Sequence, residues 1–159
     1  MPRKPRQGTA PRKGARKRLL GRYKSSLEKY CADQLSEHKI PFSYEEQEFT
    51  LMDSFRHEGV YWKMTSKSKD MSDRSDKIVL PIKYTPDFVG IKNRFIIETK
   101  GYTPSHHDFP MRWKLFLKYL SEQDEPMPAL FIPKNKQQVD HTIQIILQLM
   151  NLIIMMKNQ

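Results

Sequence analysis

Cysteine is almost missing from this chain, with one residue, Cys31, in 159. A single thiol excludes an internal disulfide framework and a cysteine-based zinc site, and it suits a reducing compartment. Acidic residues are missing from residues 1–24, which hold ten Lys or Arg and no Asp or Glu. Long apolar runs are missing too. The tail from Ile143 to Met156 is interrupted by Gln144, Gln148 and Asn151 and is shorter than a membrane span, so no membrane partner is expected. No apolar stretch follows the basic N-terminal segment, which argues against a secretory signal. Internal repeats are absent.

What remains is a soluble composition, 38% hydrophobic and 29% charged, of a size for one ordinary core over residues 25–159. The net charge of +10 is all in the first segment, because the rest of the chain balances 18 basic against 18 acidic residues. That arm carries Arg3, Lys4, Arg6, Arg12, Lys13, Arg16, Lys17, Arg18, Arg22 and Lys24. It cannot bury a core and is expected to be disordered when free. Its natural partner is a polyanion, bound through phosphate neutralisation and counterion release. The plainer alternative is a solubilising tail or localisation signal.

Along the chain, Ser25 to His38 reads as a helix with Ser25 as N-cap and Leu27, Cys31 and Leu35 on one face. Cys31 is expected there as a small buried hydrophobe. Pro41 ends it, and Phe42 to Leu51 is extended. Asp53 to Met64 turns at His57-Glu58-Gly59 and returns as a modest strand, while Ser66 to Lys77 reads as an exposed loop; residues 53–77 look like an insertion. Ile78 to Phe88 is extended, but Pro81 and Pro86 place it at an edge or require a bulge. Arg94 to Thr99 is the central strand candidate. A helix beginning near Asp108 puts Trp113, Phe116, Leu117 and Leu120 on one side and Arg112, Lys114 and Lys118 on the other. Ala129 to Ile132 is a short strand. The final helix, residues 137–157, has two apolar stripes: Val139, Ile143, Ile146, Met150 and Ile153, and Ile145, Leu149, Leu152 and Met156. Such a helix is deeply buried or packs on two partners, which makes it a candidate oligomer interface. The fold class expected is α/β, a mixed sheet of α+β type flanked by helices in the order α-β-β-β-α-β-α.

Chemistry concentrates in two segments, Tyr84-Thr85-Pro86-Asp87-Phe88 and Ile96-Ile97-Glu98-Thr99-Lys100-Gly101. Glu98 and Lys100, two apart on a strand, share a face. Asp87 ends the preceding run, and the turn Gly90-Ile91-Lys92-Asn93 brings the two runs together as a hairpin. Two carboxylates and an ammonium then converge, which suits a hard divalent cation with a lysine beside the attacking water.

The pattern Pro86-Asp87 followed by Glu98-Thr99-Lys100 resembles the core of the PD-(D/E)XK nucleases. The wider order is similar to that of the bacteriophage endonuclease I family of Holliday junction resolvases: Lys24-Ser25-Ser26-Leu27-Glu28, Gln34-Leu35, Ile40-Pro41-Phe42-Ser43-Tyr44-Glu45-Glu46, then the two segments above. The likeness covers residues 20–52 and 78–120. It implies a restriction-endonuclease-like core, Asp87, Glu98 and Glu28 as ligands of Mg2+ (with Mn2+ able to substitute), and Lys100 orienting or activating water. It also implies a homodimer acting on branched DNA in the cytoplasm of a bacterial host, from a phage-encoded gene. Where the family carries a further acid, this chain has Ser43. Glu45, two residues on, would share its face and is the candidate accessory acid.

Other roles stand beside these. Glu28 also sits where a capping box begun by Ser25 needs it, and both roles can hold. Arg112, Lys114 and Lys118 are either phosphate contacts or a solvated helix face. His106-His107-Asp108 reads as a loop and helix N-cap rather than a metal site, and Trp62 and Trp113 as core. The functional alternatives are a mismatch, restriction-like or nonspecific nicking nuclease, and a non-catalytic DNA-binding or virion structural protein.

Overall fold

The computed structural model describes residues 20–64, 66, 69–101 and 108–157. The arm from Arg3 to Arg18 and the pair His106-His107 therefore lie outside the described residues. The chain is mixed α/β, with helices α1 (Ser26–Glu37), α2 (Phe109–Ser121) and α3 (Lys136–Lys157). Its strands are β1 (Phe42–Tyr44), β2 (Phe49–Met52), β3 (Phe55–Arg56), β4 (Trp62–Met64), β5 (Met71–Asp73), β6 (Ile78–Val79), β7 (Ile82–Tyr84), β8 (Phe88–Gly90), β9 (Phe95–Ile97) and β10 (Ala129–Phe131). They divide into two compact units. The first takes in the chain up to Pro41, Thr99–Gly101 and the chain from Ile132; the second takes in Phe42–Glu98 and the chain up to Phe131.

The second unit is built on a four-stranded mixed sheet in the order β1-β8-β9-β10. β8 is antiparallel to both β1 and β9, while β10 runs parallel to β9. A parallel neighbour needs a long crossover, and α2 supplies it. The β8–β9 hairpin pairs Phe88 with Ile97 and Val89 with Ile96. Between them Ile91–Asn93 form a turn in which Lys92 takes the left-handed conformation, φ 57°. Gly90 is required here by space. A Cβ at that position would lie 2.4 Å from the Phe95 ring.

The long extended run expected from Ile78 to Phe88 is three strands, interrupted at Pro81 and Pro86. Each pairs elsewhere: β6 with β3, β7 with β2, β8 with β1. A register shift between Thr50 and Met52 marks the β2–β7 pair. The core gathers Phe49, Tyr84, Val89, Ile96, Phe116 and Leu120, with Leu51, Phe109, Trp113, Tyr119 and Leu130 against it. From α2 the inward residues are Phe109, Trp113, Phe116 and Leu120, a 3.6-residue stripe. Leu117, expected inside, is exposed.

Two corrections fall in the insertion. Met71–Asp73, expected as loop, pairs with β4 as a hairpin. Its base is tied by the Arg74 N–H to the Tyr61 carbonyl at 2.7 Å and the Tyr61 N–H to Ser75 Oγ at 3.0 Å. Trp62, expected in the core, lies exposed on that hairpin, because a two-stranded ribbon leaves its apolar face without a covering layer.

In the first unit α1 packs on α3. Cys31 and Leu35 are buried, as are Val139, Ile143 and Ile146 of the first apolar stripe. The Tyr30 hydroxyl donates to Asp140 at 2.7 Å, and Lys136 lies 4.7 Å from the Tyr30 ring centre. The second stripe stays exposed at Leu149, Leu152 and Met156. Contrary to the estimate from the apolar run alone, Lys136–Met156 is long and apolar enough to cross a membrane by length and composition. Core helices of soluble proteins pass the same test, and here one stripe is already covered by α1.

Candidate active site

Asp87 and Glu98 sit at matching ends of the β8–β9 hairpin, Asp87 just before β8 and Glu98 just after β9. Antiparallel pairing of Phe88 with Ile97 makes these two flanking residues neighbours. The Asp87 N–H points to Glu98 Oε2 at 3.3 Å. Glu98 is continued into the sheet by its own N–H, which donates to the Phe131 carbonyl at 2.9 Å, so its backbone extends the β9–β10 pairing past the strand. Its side chain is only 4% exposed. Asp87 is half-buried.

A third residue joins them. Tyr84, the last residue of β7, donates its hydroxyl to Glu98 Oε2 at 2.7 Å. Its ring lies 4.6 Å from that of Phe116 and 6.1 Å from that of Trp113, both on α2. Burial pushes the Tyr84 phenol far above its ordinary range, and the carboxylates of Glu98 and Asp87 push it the same way, while the Arg112 guanidinium opposes them. Tyr84 was not singled out from the sequence. Its one signal is its place three residues before Asp87 on an extended run, and its partner is named only when the strands are paired.

Glu45 is placed differently from expectation. β1 ends at Tyr44 and Glu45 turns out of it with φ 50°, so the alternation that would align it with Ser43 does not reach it. Instead its N–H donates to the Asp87 carbonyl at 3.0 Å. A left-handed non-glycine residue costs about 1 kcal/mol, and here that conformation is held by a bond to the residue that carries the candidate acid.

In the first unit, Glu28 and Ser25 form a helix cap. The Glu28 N–H donates to Ser25 Oγ at 3.1 Å, and the Glu28 carboxylate accepts the Lys24 N–H at 2.8 Å. The carboxylate thus reaches one residue further back than a capping box does. Glu28 is 8% exposed. Lys100 is half-buried, and its N–H donates to the Pro133 carbonyl at 3.0 Å.

The basic residues of α2 are exposed, and two are locally neutralised: Arg112 by Asp108 at 2.5 Å and Lys118 by Glu122. Lys114 is exposed as well. Asp108 occupies the N-cap position without a side-chain cap bond, because its carboxylate is turned to Arg112. Arg22 and Lys24 of the arm are exposed, Arg22 lying 5.7 Å from the Tyr23 ring centre.

Among the described residues, no group of three or more His, Cys, Asp and Glu is placed to hold a metal ion. The second unit offers a pair, Asp87 and Glu98. Two carboxylates are hard oxygen donors, and magnesium is commonly bound by one or two of them together with waters. The donor chemistry fits that cation. Comparison with protein-family models, characterised proteins and solved structures finds no match to this chain.

Proposed function

We propose that this chain is a magnesium-dependent endodeoxyribonuclease that hydrolyses phosphodiester bonds in branched DNA, with four-way junctions as its substrate. The observation that carries this reading is the Asp87–Glu98 pair, two acids set side by side by one hairpin in the motif order Pro-Asp, Glu-Thr-Lys. On this reading the mixed sheet is a PD-(D/E)XK core of the phage endonuclease I kind. Asp87 and Glu98 would hold Mg2+, or Mn2+ in its place; Glu28 is a third acid by the resemblance alone. The bound cation would acidify water and offset charge on the scissile phosphate. Hydrolysis joins a water oxygen to phosphorus, breaks one ester bond and returns a proton to the departing alkoxide. Lys100 orients that water and adds positive charge where phosphate charge builds up.

The rest of the chain fits the same work. Ten cations in residues 1–24 supply phosphate contacts that read backbone rather than sequence. Arg22, Lys24, Arg112, Lys114 and Lys118 extend them. A homodimer places two active sites on one junction, and the exposed stripe Leu149, Leu152 and Met156 of α3 is a surface for it. The setting is the cytoplasm of a bacterial host.

Asp87→Asn tests the site. Magnesium-dependent cleavage should disappear while the thermal transition and DNA affinity stay close to wild type; a variant that still turns over removes Asp87 from the chemistry. A second reading, DNA binding without turnover, draws on Ser43, which stands where the related nucleases carry an acid. It requires a well-folded wild type that binds junctions and cuts none.

A further inference from the structure

The polar partner of the buried Tyr84 hydroxyl is a charged one, the Glu98 carboxylate. A buried phenol needs one acceptor, and a backbone carbonyl would serve. Tyr84 is 4% exposed and packs against Phe116 and Trp113, and its hydroxyl goes to the carboxylate of Glu98. On the same oxygen falls the Asp87 N–H. Two donors on Oε2, one from the end of β7 and one from the start of β8, fix the rotation of the carboxylate about its last bond. The backbone of Glu98 is fixed independently, by its bond to Phe131. Little freedom is left to the group.

We infer that Tyr84 is the positioning residue of this site: its hydroxyl orients the Glu98 carboxylate toward a divalent cation shared with Asp87. This rests on the nuclease reading for the identity of the ligand. The physical argument is that a ligating carboxylate must present its oxygen in a set direction, and outer partners that set it are worth about 10–100-fold in metal affinity. A phenol suits the task better than an ammonium or guanidinium. It donates to the carboxylate without adding a positive charge, so the negative charge that attracts the cation is kept.

The test is Mn2+ binding to the full chain, followed by electron paramagnetic resonance and calorimetry, in wild type, Tyr84→Phe and Phe116→Leu. The first variant keeps the ring and removes the hydroxyl. The second disturbs the packing around that ring and leaves the hydroxyl in place. Tyr84→Phe should weaken Mn2+ binding by about 10–100-fold and raise the Mg2+ concentration needed for half-maximal cleavage; Phe116→Leu should lower the melting temperature with cation affinity kept. Equal affinity in wild type and Tyr84→Phe overturns the inference and leaves the nuclease reading intact. A wild type that binds no Mn2+ overturns both. If Tyr84→Phe does not fold, the hydroxyl proton of Tyr84 is followed by NMR in the wild type during a Mg2+ titration. A shift that saturates with the cation supports the role, and an unmoved resonance rejects it.

Discussion

Tyr84, Asp87 and Glu98 are the three side chains on which the proposed cation site rests, and they are not equally visible in the sequence. Asp87 and Glu98 are legible because strand alternation and a short turn suffice to bring them together. Tyr84 is not, since nothing local says that the end of β7 faces the end of β9. Glu45 shows the opposite failure, where alternation was carried one residue past the end of β1 into a left-handed turn. The raised phenol of Tyr84 has a consequence for stability. An unfolded tyrosine loses its proton near pH 10, whereas the folded one keeps it. The unfolded state then binds fewer protons, so stability is fully present below about pH 10 and falls as pH rises above it. Tyr84→Phe should flatten that alkaline loss in denaturant titrations run at about pH 8 and pH 11; an unchanged slope would mean that Tyr84 already titrates freely. Gly90 makes a simpler case. Gly90→Ala drives a methyl into the Phe95 ring, and overpacking of this kind costs about 1–3 kcal/mol, readable as a lower denaturation midpoint.

Among the elements, α2 and α1 were read from apolar spacing and capping, signals that act within one turn. Phe116 is fully buried against Phe49 and Tyr84, with ring centres 5.1 and 4.6 Å away. Phe116→Ala should therefore cost about 3–5 kcal/mol by chemical denaturation, and a loss below about 1 kcal/mol would contradict the packing described. Ser25→Ala removes the bond to the Glu28 N–H and should cost about 1 kcal/mol. The strands were harder. Pro81 and Pro86 point to an edge or a bulge in one run; the fold instead divides that run into three strands, and the partner of each lies about 22 to 48 positions away. Met71–Asp73 was missed because its three residues have little strand preference; the cross-links of Tyr61, Arg74 and Ser75 hold the hairpin instead. Leu117 was assigned inward by hydrophobicity, although the stripe through Trp113, Phe116 and Leu120 already fills that face of α2.

For the chain as a whole, charge and exposed apolar surface set the behaviour expected in solution. Deleting residues 1–22 removes nine of the ten basic residues of the arm and should flatten the salt dependence of DNA binding, since each neutralised phosphate contributes about 0.9 to the logarithmic slope on duplex DNA. An unchanged slope would return the arm to the status of a passive tail. The two stripes of α3 were legible as stripes; only the fold separates the one covered by α1 from the one left at Leu149, Leu152 and Met156. The function proposed rests finally on turnover. The decisive measurement is magnesium-dependent cleavage of a labelled four-way junction beside a linear duplex of the same sequence, with Lys100→Ala in parallel. Wild type should cut the junction selectively and the variant should not. A folded, DNA-binding wild type that cuts neither substrate would contradict the nuclease reading outright.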